Sequence, residues 1–281
     1  MKLHTINSGL FKLDGGAMFG IIPKTIWQKI NPADENNMAT WNSRCWIIEL
    51  NNRLILIDCG LGDKQGPDFF KHYYRDDSTN LIKEIHKAGF KETDFTDVII
   101  THFHFDHCGG ALSYDHQKKV VPTFPNAQYH CSLNQWENAL QPNFNEENSI
   151  FKDNIFPSDK KDFWNLIDSP IMTLNDKLIV HEFLTDLKFI EVNGHSKGLL
   201  VPWLKMDGED HIFCSDLIPS FGHIPILYSM AYDANVSLTY QEKQSLYQSF
   251  NPLTTWLYFQ HDPKIIRARF MLKGSKYGGV L

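Results

Sequence analysis

The sequence predicts a mixed α/β protein with two sheets and helices outside them. Hairpin-like strands fill the chain up to Asp58, strands then alternate with amphipathic helices, and 42% of the 281 residues are hydrophobic. That composition supplies a large core, and cores usually divide only beyond ~250 residues, so one domain over residues 1–281 is expected.

Taken in order, Leu3 to Leu13 alternates around Asn7-Ser8-Gly9 and reads as a short hairpin. Asp14 to Gly20 carries three glycines and reads as a loop, and Ile21 to Glu35 as an irregular excursion. Cys45–Leu50 and Leu54–Asp58 are two strands joined at Asn51-Asn52, residues that tolerate a tight turn. Leu81–Ala88 has the apolar spacing of a helix, ended by Gly89. Val98–Ile100 is a buried strand. Val120-Val121 and Ala127–His130 add further strands, and Leu133–Leu140 a helix. From Gln141 to Asp168 the chain is polar with scattered aromatics. It reads either as a lid or as a surface excursion that buries its own rings. Strands at Leu178–Glu182 and Leu187–Val192, a polar helix at Ser237–Phe250, a strand at Leu253–Phe259 and a helix starting at Lys264 complete the expectation.

The chemistry concentrates in Thr101-His102-Phe103-His104-Phe105-Asp106-His107-Cys108-Gly109-Gly110. Three imidazoles and a carboxylate crowd the end of an apolar strand. Residues i and i+2 share a strand face, so His102 and His104 can grip one cation while Asp106 and His107 turn towards a second. Gly109-Gly110 is expected to let the backbone bend around the site. Chance histidines in a polar loop rarely fall at this spacing.

This H-x-H-x-D-H run resembles the signature of the metallo-β-lactamase superfamily. Further matches follow in order: Gly194-His195-Ser196-Lys197-Gly198, the strand ending at Asp216, the strand end at His261, and Leu54 to Gly62 with Asp58. The resemblance implies a four-layer αββα sandwich. It also implies that His102, His104 and His195 hold one metal, that Asp106, His107 and His261 hold another, and that Asp216 bridges them. Two divalent ions, zinc foremost, would be the cofactors, and a hydroxide between them the nucleophile. Asp106 would then handle the proton of the leaving group, and Asp58 would brace the metal loop without ligating. Cys214 reads as a core residue.

Two longer segments, Asp14 to Lys24 and Asp216 to Pro225, together with Met230 to Asp233, look like those of N-acyl-homoserine-lactonase-like members. The resemblance implies lactone ring opening, hence quorum quenching. Met18, Phe19 and Ile21 would wall an acyl chain, and His223 would reach the substrate oxygen. For each of these residues the alternative is packing within the core. Other readings are an arylesterase or phosphotriesterase, a thioester hydrolase, and a non-catalytic protein with a relic site; the intact ligand set weighs against the last.

A formal charge of −6 argues against non-specific nucleic-acid binding. No apolar run is long enough to span a membrane, and the first residues lack the core of a secretory signal. Five cysteines without framework spacing read as reduced thiols in a cytoplasmic protein. The expected partner is a small-molecule lactone or ester. Oligomeric state stays open, a homodimer being common among relatives.

Overall fold

The computed structural model describes residues 1–158 and 162–281. They divide into two compact units, one of Met1–Phe11 with Asn42–Ile167 and one of Lys12–Trp41 with Asp168–Leu281. Sheets and helices mix as in the metallo-β-lactamase fold.

The first unit is organised on a six-stranded sheet in the order Lys2–Asp14, Met38–Leu50, Arg53–Ile57, Asp97–Ile99, Gln128–Ser132 and Trp164–Ile167. Asn51 and Asn52 both adopt left-handed φ, 50° and 61°, which makes the expected two-residue hairpin between Leu50 and Arg53. Arg53–Ile57 and Asp97–Ile99 run parallel with Ile57 opposite Ile99. Helix Leu81–Lys87 is capped by Asn80, which accepts from Lys83 N, and it buries Leu81 and Ile85 in the core of this unit. Helix Leu133–Leu140 is capped in the same way by Ser132.

The second unit holds an eight-stranded sheet. From one edge its order is Lys276–Val280, Arg267–Lys273, Thr255–Tyr258, Glu209–Phe213, Leu199–Met206, Leu187–Val192, Leu178–Leu184 and Pro170–Leu174. Glu209–Phe213 and Thr255–Tyr258 are its parallel pair, with Phe213 opposite Tyr258. Helix Val236–Ser249, capped by Asn235, buries Leu246 and Tyr247 against this sheet's core.

Three local expectations are corrected. Lys2–Asp14 is one continuous strand, not a hairpin: Gly9 takes φ 143°, which glycine adopts without strain, and the strand runs on through it. Gly15–Phe19 is a helical turn, not a loop, because the Asp14 carboxylate accepts from Ala17 N. The segment after Lys264 forms strands Arg267–Lys273 and Lys276–Val280 where a helix was expected; they pair as an antiparallel hairpin at the edge of the sheet, with Phe270 buried and Tyr277 packed against the same core.

The polar segment Gln141 to Asp168 is largely part of the first unit's body. Trp164–Ile167 is an edge strand, the Phe163 ring lies 4.5 Å from Tyr129, and Phe151 packs edge-on to Phe69 and Phe105. Phe144, at 91%, and Phe156, at 41%, stay exposed. Residues 159–161 of the segment read as a lid lie outside the described residues.

Candidate metal centre

Strand register explains where the candidate ligands stand. His102 follows strand Asp97–Ile99, His195 follows Leu187–Val192, Asp216 follows Glu209–Phe213 and His261 follows Thr255–Tyr258, each three residues beyond the strand's last residue. Because Phe213 and Tyr258 are register partners, equal extension brings Asp216 and His261 to the same height in the second unit. Cys214 N donates to Tyr258 O at 2.9 Å and His261 N to Pro219 O at 2.8 Å, which fixes both chain ends.

In the first unit, the four motif residues are all buried at the end of Asp97–Ile99. His102 Nε2 lies 3.2 Å from His104 Nδ1, and His107 Nε2 lies 3.7 Å from Asp106 Oδ2. Phe105–Cys108 is a single helical turn, so Asp106 and His107 leave the strand direction as expected. The glycine pair acts differently from the expectation. Gly109 keeps ordinary helical φ of −55°, so it makes no special bend. A Cβ there would sit 1.9 Å from Leu61 O, so the pair permits close backbone packing of the motif on Cys59–Leu61.

Asp58 ends strand Arg53–Ile57 with a left-handed φ of 59°, a conformation that costs free energy for a residue with a Cβ. In return its carboxylate accepts from Thr101 N and Thr101 Oγ1, both at 2.8 Å, and contacts His107 Nδ1 at 3.1 Å. Asp58 therefore braces the motif through hydrogen bonds.

In the second unit, Asp216 sits on a 3₁₀ turn with one carboxylate oxygen 3.1 Å from His195 Nε2 and the other 2.9 Å from His261 Nε2. His195 Nδ1 meets Asp233 Oδ1 at 2.8 Å. The turn ahead of His195 is held by Glu242, which accepts from Asn193 N at 2.6 Å and Gly194 N at 3.0 Å; burial pushes its carboxyl up to about 7 against those donors. Gly194 must be glycine, because a Cβ would lie 2.4 Å from Thr239 N. Asp262 accepts from Phe221 N, Lys264 N and Ile265 N and so anchors the loop that carries His261.

These side chains suit divalent metal. Four histidines are held from outside by one ring nitrogen: His102 Nδ1 by Thr101, His104 Nε2 by Glu146, His107 Nδ1 by Asp58 and His195 Nδ1 by Asp233. In each, the other nitrogen faces a fellow candidate ligand, the arrangement that metal-binding imidazoles adopt. Buried imidazoles and carboxylates without lysine or arginine among them are a donor set for zinc-like ions.

Met18 and Phe19 are 1% and 0% exposed, whereas Ile21 is 76% exposed. Phe19 stacks on His223 with centroids 4.5 Å apart and on Trp27 at 5.4 Å. His223 is fully buried between Ser220 Oγ at 2.7 Å and Met18 O at 2.7 Å. Burial holds its imidazole neutral, with the pKa driven down to about 3 although the Met18 carbonyl opposes this. Lys243 is also fully buried: its ammonium donates to the carbonyls of His223, Pro225, Ile226 and Tyr228, and burial lowers it to about 7. Cys214 packs in the core, and burial raises its thiol far above the usual range.

Sequence reasoning missed Glu146, Glu242 and Lys243, all on stretches that read as solvated polar surface. Asp233 lay in a quoted segment but was given no role.

A model of the metallo-β-lactamase superfamily matches residues 39–261. Probable metallo-hydrolases of Mycobacterium bovis and Mycobacterium tuberculosis are 26% identical over 102 residues, 34% of this chain; the match spans 30% of the length of those relatives. A probable metal-dependent hydrolase from Staphylococcus aureus superposes with a TM-score of 0.84 at 24% identity, covering 95% of this chain and 91% of its own. AidC, a dizinc quorum-quenching lactonase seen with a product, gives 0.76 at 19% identity over 99% and 93% of the two chains. An N-acyl homoserine lactone hydrolase with N-hexanoyl-L-homoserine at its catalytic metal centre gives 0.66 at 16% identity over 94% of each.

Proposed function

Because the chain belongs to the metallo-β-lactamase superfamily, we propose that it is a dinuclear metal-dependent hydrolase that opens lactones, N-acyl homoserine lactones first among them. The observation that carries the metal reading is the set of imidazoles gripped from outside by one nitrogen and offering the other. One domain over residues 1–281 is proposed, and the family match, residues 39–261, spans all seven candidate ligands. His102, His104 and His195 would hold one ion, Asp106, His107 and His261 the other, and Asp216 would serve both. Zinc is the proposed metal.

Two such ions, when bound, activate water near neutral pH and polarise a carbonyl. The chain's own residues orient and move protons around that chemistry. Asp216 would supply the negative charge that offsets the repulsion of two cations. Asp106 would take the proton released by the attacking water and pass it to the alkoxide as the ring acyl C–O bond breaks, which completes ring opening. Asp233 and Asp58 keep the imidazoles of His195 and His107 in their tautomers.

The lactone choice rests on the Asp14 to Lys24 and Asp216 to Pro225 segments and on the fold shared with the two lactonases. Met18, Phe19 and His223, each 1% exposed or less, are proposed to stand behind the acyl side as a buried wall, and His223 has both ring nitrogens partnered within the protein. Burial makes this wall a rigid stack, so truncating Phe19 to Ala would cost about 3–5 kcal/mol of stability and confound the test. The milder Phe19→Leu should flatten the dependence of kcat/KM on acyl length, each buried methylene being worth ~0.8 kcal/mol. The small-molecule substrate is the proposed partner, and the five free, buried thiols support a reducing, cytoplasmic setting. No helix among the described residues is long and apolar enough to cross a membrane.

The deciding experiment is a panel of acyl-homoserine lactones, aryl esters, thioesters and phosphotriesters with metal-replete protein. The proposal expects lactones to give the highest kcat/KM. Turnover of esters or phosphotriesters with inert lactones would transfer the assignment to those substrates.

A further inference from the structure

We propose that Glu146 is a positioning residue for the metal centre: its carboxylate holds His104 by Nε2, so that the polar segment after helix Leu133–Leu140 sets how tightly one of the two ions is bound. This rests on the dinuclear reading above.

The Glu146 side chain is 0% exposed, and its Oε1 lies 3.2 Å from His104 Nε2. Asn138 Nδ2 donates to both carboxylate oxygens, at 3.2 and 3.3 Å, and Asn143 Nδ2 donates to Oε2. Every one of these neighbours can be a donor, and an ionised carboxylate is acceptor-only, so the pocket is matched to the charged form. Burying a carboxylate without compensation is expensive; a leucine would cover the same space without that cost. The charge therefore has a local use, and the group it meets is an imidazole of the H-x-H-x-D-H run.

The use follows from tautomer chemistry. A neutral imidazole that donates from Nε2 must present a lone pair at Nδ1. His104 Nδ1 is the atom that faces His102 Nε2, 3.2 Å away. Glu146 thus selects the ring nitrogen offered inward and makes it more basic. The backbone is tied down beside this contact: Phe105 N donates to Ser149 O at 2.9 Å, and Phe151 packs edge-on at 5.2 Å to Phe69, which meets Phe105 in the same way. A segment that reads from its sequence as either a lid or a surface excursion is in this part a buttress behind the candidate ligand.

The effect should be asymmetric. His107 takes its outer partner from Asp58, on a different strand, so Glu146 acts on the His104 position alone. Zinc competition against a chelator, with the full chain, should resolve two binding steps in the wild type. Glu146→Gln, which keeps the shape and removes the charge, should weaken one step about 10–100-fold and leave the other unchanged. Glu146→Asp should recover part of the loss. Should Glu146→Gln fail to fold, long-range ¹H–¹⁵N spectra of the wild type decide, and His104 should carry its proton on Nε2. Two unchanged steps in Glu146→Gln, with or without a lower Tm, would make Glu146 merely structural and overturn the inference, as would a His104 protonated on Nδ1. A wild type that binds fewer than two zinc ions overturns the dinuclear reading itself, and the inference falls with it.

Discussion

The two units supply their candidate ligands in opposite ways. In the first, four stand within six residues at one strand end, and one acid, Asp58, braces Thr101 and His107 together. In the second, His195, Asp216 and His261 come from three strand ends far apart in sequence; Asp233 and Glu242 both hold the His195 loop, and Asp262 holds the loop of His261. Ligands in a compact motif can share a brace, as Thr101 and His107 share Asp58; ligands on distant strand ends cannot. The first arrangement is economical but exposes two ligands to the loss of one side chain, whereas the second confines damage to a single loop.

That contrast can be broken experimentally. The largest effect is expected at Asp216, the proposed bridging carboxylate. Asp216→Ala should release one metal and lower kcat/KM by more than about 100-fold, since outer partners alone are worth 10–100-fold; retention of two tightly held ions would remove Asp216 from the ligand set. Next in size, Asp58→Asn should weaken metal binding about 10–100-fold and broaden the signals of His102 and His107 alike, whereas Asp233→Asn should perturb His195 alone. Equal, local effects from both variants would erase the distinction between a shared and a private brace.

A pH prediction follows for the second unit. The folded pKa of His223 lies near 3, below the ordinary 6.5, so its contribution to stability is complete above pH ~6.5 and is lost as pH falls towards 3. By linkage the ceiling is on the order of 4 kcal/mol. His223→Phe keeps the stack on Phe19 and cannot titrate, so its denaturation midpoint should depend less steeply on pH between 6.5 and 3 than that of the wild type. Parallel pH profiles would show that the ring is not held neutral. The smallest effect belongs to Cys214→Ala, a core truncation that should cost about 1 kcal/mol and leave metal content unchanged.

The same contrast decides what could be read from the sequence. The first ligand set was legible directly, because strand periodicity and spacing put His102, His104, Asp106 and His107 together without knowledge of the fold. The second was reached through resemblance; no local pattern links His195 to His261, and only the parallel register of Phe213 with Tyr258 brings Asp216 and His261 level. The acids behind the ligands were less legible still. Glu146, Glu242 and Lys243 lie in polar stretches, and a buried charge looks like a solvated one until its partners are known. Helix Val236–Ser249 shows the difficulty: Glu242 and Lys243, which read as its wet face, point inward to satisfy backbone groups of two loops. Strand Lys2–Asp14 and the hairpin Arg267–Val280 failed for another reason, since glycine and basic residues there signal turns or helix locally and tertiary pairing overrides them.

The dinuclear proposal draws seven side chains from two differently built sets. Elemental analysis of reconstituted, desalted protein counts the metals they hold. Two divalent ions per chain are predicted, falling to one in Asp216→Ala. Fewer than two ions per chain in the wild type would contradict the proposal.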